Sequence, residues 1–219
     1  MKASFLKKSL LILSAILLCA MTLVSCKTTL KPGDKGLYDK QNDITYSHAS
    51  TVYEATSLLK EYGKLALTSK ESYALYTIPG ADPTVMLATE DFNIVYAAEY
   101  VMPTLLEMSP SIIHICTDSS TSVHEIQRIE DVVIIASIVT DFTSGTNLPY
   151  PAGSPLRSYK VRFESTQYPG FYYTLTYVEY AEDVEIDGVS YGRYFLRSAF
   201  EDIFVPIGDE IHKAMGYTD

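Results

Sequence analysis

The sequence predicts an α+β fold in which an antiparallel sheet of about six or seven strands packs against two or three helices. Three observations favour this class. Apolar residues recur at helical spacing after Thr51, short strand-like segments follow one another after Pro110, and an Asp-Gly pair divides a long apolar stretch. Strands and helices do not alternate regularly along the chain, so a parallel β/α sheet is not expected.

Three segments are expected to be helical. The first runs from Thr51 to Ala66, because Thr51 and Glu54 have the spacing of a capping box. A second is predicted from Asp91 to Glu107, with a kink at its internal proline, and a short third lies between Pro206 and Gly216. The apolar stripe of the first helix consists of Val52, Ala55, Leu58, Leu59, Tyr62 and Ala66.

Several short segments have the pattern of strands. The segment Val132–Val139 is apolar at both odd and even positions, which is typical of a central strand covered on both faces. The segment Tyr159–Glu164 alternates strictly and predicts a strand with one solvent-facing side. Further strands are predicted at Tyr73–Ile78, Val85–Ala88, Ile112–Cys116 and His124–Ile129.

A long hairpin is predicted from Phe171 to Ser198, with its turn at Asp187-Gly188. A two-residue loop places Ile186 opposite Val189. Continued without interruption, this register pairs Tyr180 with Phe195 and Val178 with Arg197. A bulge near residues 181–183 would shift the pairing beyond it.

The N-terminus has the pattern of an export signal. Lys2, Lys7 and Lys8 precede an apolar run from Leu10 to Leu18, and the sequence Leu23-Val24-Ser25-Cys26 follows. This pattern resembles the lipobox of bacterial lipoproteins. The resemblance implies cleavage before Cys26, a diacylglycerol on its sulfur and, usually, an acylated α-amine.

Two other interpretations of this segment are an ordinary secretory peptide cut elsewhere and an uncleaved membrane helix from Ser9 to Val24, which is shorter than the roughly 20 residues a bilayer requires. The lipobox interpretation divides the chain into a signal peptide (1–25), a lipidated cysteine with a flexible tether (26–43) and one globular α+β domain (44–219). We therefore expect a protein anchored by acylated Cys26 to a membrane of a bacterial envelope. In a diderm organism, the resemblance to lipoproteins implies sorting to the outer membrane, because the residue after the cysteine is Lys27. Cys116 would then be the sole cysteine besides the lipidated one, and its apolar surroundings favour a buried, inert thiol.

The charge of the chain argues against nucleic acid as a partner. The sequence holds 17 Lys and Arg against 27 Asp and Glu, for a formal net charge of −10. Such a chain repels phosphate backbones, and the sequence contains no basic patch that would reverse this.

Four motifs suggest chemistry, and each has a simpler explanation. Gly188–Gly192 matches the G-x-S-x-G pentapeptide of α/β-hydrolases around Ser190, but a strand follows it where a helix is required. Asp183–Gly188 resembles half of a Ca²⁺-binding EF-hand loop without its final glutamate. Two further sets are a zinc trio of His114, Cys116 and His124, and a glycosidase acid set of Glu90, Asp91 and Glu99. We expect no catalytic residue, metal or cofactor.

Tyrosine is unusually frequent, with 18 residues in the chain. Its large ring and polar tip suit it both to a packed sheet and to faces that bind sugars or proteins. The candidate ligand-binding residues are Tyr172, Tyr180 and Tyr191. The leading hypothesis is a non-catalytic binding or scaffolding domain whose partner is an envelope protein or a glycan. The alternatives are a carrier of a lipid or other apolar ligand, and a cell-wall hydrolase that works through carboxylates.

Overall fold

A computed structural model describes residues 28–33, 36–47, 50–66, 72–119, 122–198 and 201–217. The predicted signal peptide and Cys26 lie outside these residues. The described helices are α1 (Leu105–Met108), α2 (Val132–Ser144) and α3 (Glu210–Ala214). Within the described part of the chain, no helix combines the length and apolarity that a membrane crossing requires. The strands are β1 (Thr28–Gly33), β2 (Gly36–Asp39), β3 (Ile44–Tyr46), β4 (Ser50–Ala55), β5 (Glu61–Ala66), β6 (Ser72–Tyr76), β7 (Met86–Thr89), β8 (Asn93–Tyr96), β9 (Ile112–Ser119), β10 (Ser122–Ile129), β11 (Arg157–Glu164), β12 (Phe171–Glu179), β13 (Glu185–Ile186), β14 (Val189–Ser190), β15 (Tyr194–Ser198) and β16 (Ile203–Pro206).

The strands form a mostly antiparallel sheet, which confirms the predicted sheet type and the presence of a few helices. Pairing links 14 strands in the order β10-β9-β11-β12-β4-β8-β7-β6-β5-β1-β2-β3, with β15 and β16 branching from β12. The number of strands is therefore about twice the predicted six or seven. Among the described pairs, β1 with β5 is parallel, and β13 and β14 form a separate hairpin.

The first half of the sheet curls into a small barrel. The segment after β8 returns to β3, where Ser47 N donates to Tyr96 O at 2.6 Å and Ala98 N donates to Thr45 O at 2.7 Å. The barrel interior contains buried Leu37, Tyr46, Leu75, Leu87 and Val95. Strands β1 and β2 lie in the segment that the sequence assigned to a flexible tether. The burial of Leu37 and Asp39 gives β2 a place in the barrel.

The second half of the sheet packs one face against α2. The helix contributes Ile135, Ile138, Val139 and Phe142 to the core, at the i, i+3, i+4, i+7 spacing of one helical face. The strand predicted at Val132–Val139 is thus wrong. Asp131 caps the helix by accepting from Val133 N at 2.8 Å. A short apolar run does not distinguish a buried strand from a buried helix by periodicity alone.

Two predicted helices are wrong in the opposite sense. Residues from Thr51 to Ala66 form strands β4 and β5, and the segment Asp91–Glu107 holds strand β8 before α1 begins at Leu105. The capping box in the second segment belongs to Thr104 and Glu107 and starts only the one-turn helix α1. Because β4 pairs with both β8 and β12, tertiary pairing overrides its helical spacing. Strands β6, β7, β9, β10 and β11, together with α3, confirm the other predicted elements.

The long hairpin has the predicted turn and a shifted register beyond it. Ile186 lies opposite Val189 as expected. Val178 pairs with Phe195 instead of Arg197, so the pairing beyond the tip is displaced by two residues. The displacement occurs across residues 181–183, where the sequence left a bulge open. Tyr180 N donates to Arg193 O, and Val184 N donates to Gly192 O.

Candidate functional site

The face of the sheet opposite α2 is polar at its centre. Along β11, Tyr159, Val161 and Phe163 face the helix-covered core, and Lys160, Arg162 and Glu164 face the other way. Residues directly paired across strands share a face of the sheet. His114 of β9 and Thr174 of β12 both pair with Arg162 and therefore lie on this polar face.

A pocket of about 540 Å³ opens on the polar face. Strands β4, β10, β11 and β12 contribute to it, together with the turn between β7 and β8. Its volume is in the range of roughly 300–1,000 Å³ that is usual for small-molecule sites. The lining comprises the charged residues Glu54, Glu90, Asp91, Lys160 and Arg162, the aromatic residues Phe92 and Tyr172, and Ala55, Thr56 and Val123.

An ion-pair network occupies the sheet side of the pocket. Arg162 donates to both carboxylate oxygens of Glu54, from Nε to Oε2 at 3.1 Å and from Nη2 to Oε1. The ammonium of Lys160 lies 3.2 Å from Oε2 of the same carboxylate. Burial by itself would lower the pKa of Arg162, but the hydrogen bonds and charge of Glu54 raise it above its ordinary value. The guanidinium is thus charged and held in one orientation.

Tyr172 stands beside this network. It pairs with Glu54 across β12 and β4, and the Arg162 guanidinium lies 5.4 Å from the centre of its ring. The ring of His114 meets it edge-on at a centroid distance of 5.4 Å. Burial raises the pKa of Tyr172, and the charge of Glu164 adds to this effect. The hydroxyl is therefore protonated at neutral pH and can donate a hydrogen bond.

Two carboxylates hold His114 behind Tyr172. Nδ1 lies 2.5 Å from Oε2 of Glu125, and Nε2 lies 2.7 Å from Oε2 of Glu164. Each ring nitrogen of His114 thus has a carboxylate partner. The hydrogen bond from His114 lowers the pKa of Glu125. This arrangement fixes the His114 ring against which Tyr172 packs.

The structure does not bring the three candidate zinc ligands, His114, Cys116 and His124, together. His114 and Cys116 share one face of β9, as predicted, but His124 pairs with Thr117 and therefore lies on the opposite face. Among the residues that the structure describes, no group of three or more His, Cys, Asp or Glu side chains could hold a metal ion. Burial raises the pKa of the Cys116 thiol, which keeps it protonated and unreactive at neutral pH.

The rim of the pocket contains a strained aromatic residue. Phe92 ends the turn from β7 to β8 with a φ of 64°, in the left-handed region that bulky residues rarely adopt. Two backbone hydrogen bonds hold it there, from Phe92 N to Thr89 O at 3.0 Å and from Ala55 N to Phe92 O at 2.8 Å. Its side chain nevertheless remains 38% exposed.

The structure separates the three tyrosines predicted to bind a ligand. Tyr172 lines the pocket, whereas Tyr180 and Tyr191 pack in a separate apolar cluster with Val184 and Phe195. Tyr180 meets Phe195 edge-on at a centroid distance of 5.9 Å.

The structure also separates the three acids of the predicted glycosidase set. Glu90 and Asp91 line the pocket, and Glu99 is outside the lining. The two acids occupy a turn between strands, not the predicted start of a helix.

The two motifs at the hairpin tip form an exposed turn. Ser190 lies in β14, and its hydroxyl donates to Asp183 at 3.4 Å, so the strand-to-helix turn of a hydrolase nucleophile is not formed there. Asp187 and Gly188 have φ values of 52° and 79°, as the predicted turn requires. The side chains of Asp183, Glu185 and Asp187 are exposed.

The sequence does not indicate four of the pocket residues as site residues: Glu54, Lys160, Arg162 and Phe92. The alternation of charge along β11 was the one available signal, since it predicted a wet face containing Lys160 and Arg162. The spacing of Thr51 and Glu54 predicts a helix cap, and nothing in the sequence around Phe92 indicates a left-handed backbone. No protein-family model, curated protein or solved structure matches this chain.

Proposed function

We propose that this chain is a lipid-anchored protein of a bacterial cell envelope whose domain binds a ligand in the pocket beside Tyr172, without catalysis. Acylated Cys26 would provide the anchor, in the outer membrane if the organism is diderm. The observation that supports the binding role is the preformed polar network in the pocket, where Arg162, Lys160 and Glu54 hold one another beside an aromatic ring. Binding sites benefit from such preorganisation, because the side chains lose little further entropy when a ligand arrives.

The state of Glu54 favours binding over catalysis. A nucleophile or general acid must present an oxygen to the substrate, and the Arg162 fork occupies both oxygens of Glu54. A second candidate function, a carboxylate-dependent hydrolase, is favoured by one observation. Glu90 and Asp91 line the same pocket as Glu54, which brings several carboxylates around one cavity.

The anchor is tested by intact mass spectrometry of the full-length protein purified from its own membranes in mild detergent. We expect a chain that begins at Cys26 and carries the mass of two or three acyl chains. A Cys26→Ser variant should remain uncleaved and gain no lipid. A wild-type chain that starts elsewhere, or that carries no lipid mass, would refute the anchor.

The binding role is tested by native mass spectrometry of the same preparation. We expect a small-molecule adduct that Tyr172→Ser loses. Tyr73→Ser is the matched control, because Tyr73 is also a strand tyrosine, is half exposed and lies outside the pocket lining. An adduct equally retained by both variants would contradict a site at Tyr172. Hydrolysis of the bound molecule that is abolished by Glu90→Gln or Asp91→Asn would replace binding by the second candidate function.

A further inference from the structure

We infer that the ligand of this pocket is a saccharide, bound through its hydroxyl groups to the charged lining and through its C–H faces to the rings of Tyr172 and Phe92. This inference rests on the proposed binding function and adds the chemical class of the ligand. Three features of the pocket support it: the mixture of hydrogen-bond donors and acceptors, the position of Glu54 among the cations, and the two aromatic residues.

The charged lining suits a neutral polar ligand with many hydroxyl groups. Glu54, Glu90 and Asp91 supply only acceptors, while Lys160 and Arg162 supply only donors. A ligand with charge of a single sign would be repelled by one of these two sets. A hydroxyl group both donates and accepts hydrogen bonds, so a saccharide matches the donors and the acceptors together.

Glu54 also makes the cationic part of the pocket unsuitable for an anion. Its carboxylate receives the Arg162 fork and lies 3.2 Å from the Lys160 ammonium. This is the place that a carboxylate or phosphate group of a ligand would otherwise take. An anionic ligand group would therefore have to compete with Glu54 for these cations, whereas a neutral hydrogen-bonding group would not need to displace it.

The aromatic residues provide surfaces for a sugar ring. A pyranose has one face of C–H groups, which packs against the electron-rich face of an aromatic side chain. Tyr172 lines the strand side of the pocket, and Phe92 lines it from the turn between β7 and β8.

Phe92 supports a functional interpretation for a second reason. Its φ of 64° is strained for a phenylalanine, whereas glycine adopts this conformation without penalty. A strained residue that keeps a large ring partly exposed at the rim of a pocket is typical of sites where function opposes stability.

The test uses the full-length protein in detergent micelles. It is applied to an immobilised panel of neutral, amino and acidic mono- to tetrasaccharides, with a parallel panel of amino acids and dipeptides. Affinity for any retained compound is then measured by titration calorimetry. The key variant is Phe92→Gly, which removes the ring and suits the left-handed backbone. Asp187→Gly is the matched control, because Asp187 also has a positive φ, of 52°, and lies at the β13–β14 turn outside the pocket lining.

We expect wild-type protein to bind at least one neutral saccharide, Phe92→Gly to bind it about tenfold more weakly or worse, and Asp187→Gly to bind it as wild type does. Circular dichroism establishes that both variants are folded. If the amino acids or dipeptides bind and no saccharide does, the ligand class is wrong while the binding function holds. If no saccharide binds and native mass spectrometry also finds no adduct, both the saccharide and the binding function fail. Equal saccharide affinity in wild type and Phe92→Gly would remove the aromatic rim from the argument and overturn the inference.

Discussion

Glu54 and Glu179 both have arginine partners but lie in different surroundings. Glu54 lies on the polar face of the sheet, where its partners Arg162 and Lys160 line an open pocket. Glu179 lies on the opposite face, 2% exposed, and accepts from Arg157 at 2.6 Å and from the Tyr177 hydroxyl at 3.3 Å. The same kind of ion pair therefore adjoins an open pocket at one site and a packed aromatic cluster at the other.

The surroundings of Glu179 are aromatic. Tyr177 stacks between Tyr159 and Tyr194, at centroid distances of 6.3 Å and 6.5 Å. His212 of α3 approaches the carboxylate at 3.4 Å from Nδ1 to Oε2, and Arg157 lies over the ring of Tyr217. Tyr159, Tyr177, Tyr194 and Tyr217 therefore belong to a packed cluster, whereas Tyr172 lines the pocket.

The comparison is tested most strongly by Glu179→Gln and Glu54→Gln. At Glu179 the amide places an NH₂ group among buried donors, and we expect the free energy of unfolding to fall by about 2 kcal/mol. Glu54 is also buried, at 8% exposed, but it borders the open pocket. Solvent can therefore reach the amide, and we expect a smaller loss of unfolding free energy together with a fall in ligand affinity. Urea denaturation of both variants measures the difference. Equal losses of stability would mean that the pocket and the packed cluster have the same structural role.

At alkaline pH we expect a smaller difference in stability between variants at the two sites. Burial, with the negative charge of Glu179, raises the pKa of Tyr177 above its ordinary value of 10.0. A tyrosine whose pKa is raised in the folded protein stabilises the fold fully at pH values below its ordinary pKa. This stabilisation is lost as the pH rises towards the pKa that the tyrosine has in the folded protein. At neutral pH we expect the free energy of unfolding of Tyr177→Phe to be lower than that of wild type by about 1 kcal/mol, because the hydrogen bond is lost. Above a pH of about 10, the variant should lose less additional stability than wild type, because it has no phenol to ionise.

The measurement is urea denaturation across this alkaline range, with Tyr172→Phe as the control. Tyr172 also has a raised pKa but is partly exposed in the pocket, so its variant should follow the wild-type curve more closely. A Tyr177→Phe curve parallel to that of wild type would show that another group controls alkaline unfolding.

The smallest expected effect concerns the strain at Phe92. Phe92→Gly and Phe92→Ala remove the same aromatic ring, but alanine keeps the penalty of the left-handed backbone and glycine does not. We expect the glycine variant to be more stable by about 1 kcal/mol. Thermal unfolding of the two variants provides the comparison, and equal midpoints would show that the turn relaxes and stores no strain.

Local sequence patterns predict the structure correctly where they agree with the final environment of the residues. The alternation of Tyr159–Glu164 predicted a strand with one polar face, and that face contributes Lys160 and Arg162 to the pocket. Asp187-Gly188 predicted a turn that the structure confirms. The spacing of apolar residues predicts the wrong element at residues 51–66 and 132–139. An apolar spacing can fit either a helix or a strand when the neighbouring elements are unknown.

The sequence by itself determined the antiparallel sheet type, several strands, the hairpin turn and an acidic chain. It also predicts the lipid anchor at Cys26. Tertiary structure alone decided where the pocket lies, because Glu54, Phe92 and Arg162 are far apart in the chain and meet only through the pairing of β4 with β8 and β12. Local patterns report which residues prefer to be buried or extended. Which strands become neighbours depends on long-range pairing, and the pocket is a product of that pairing.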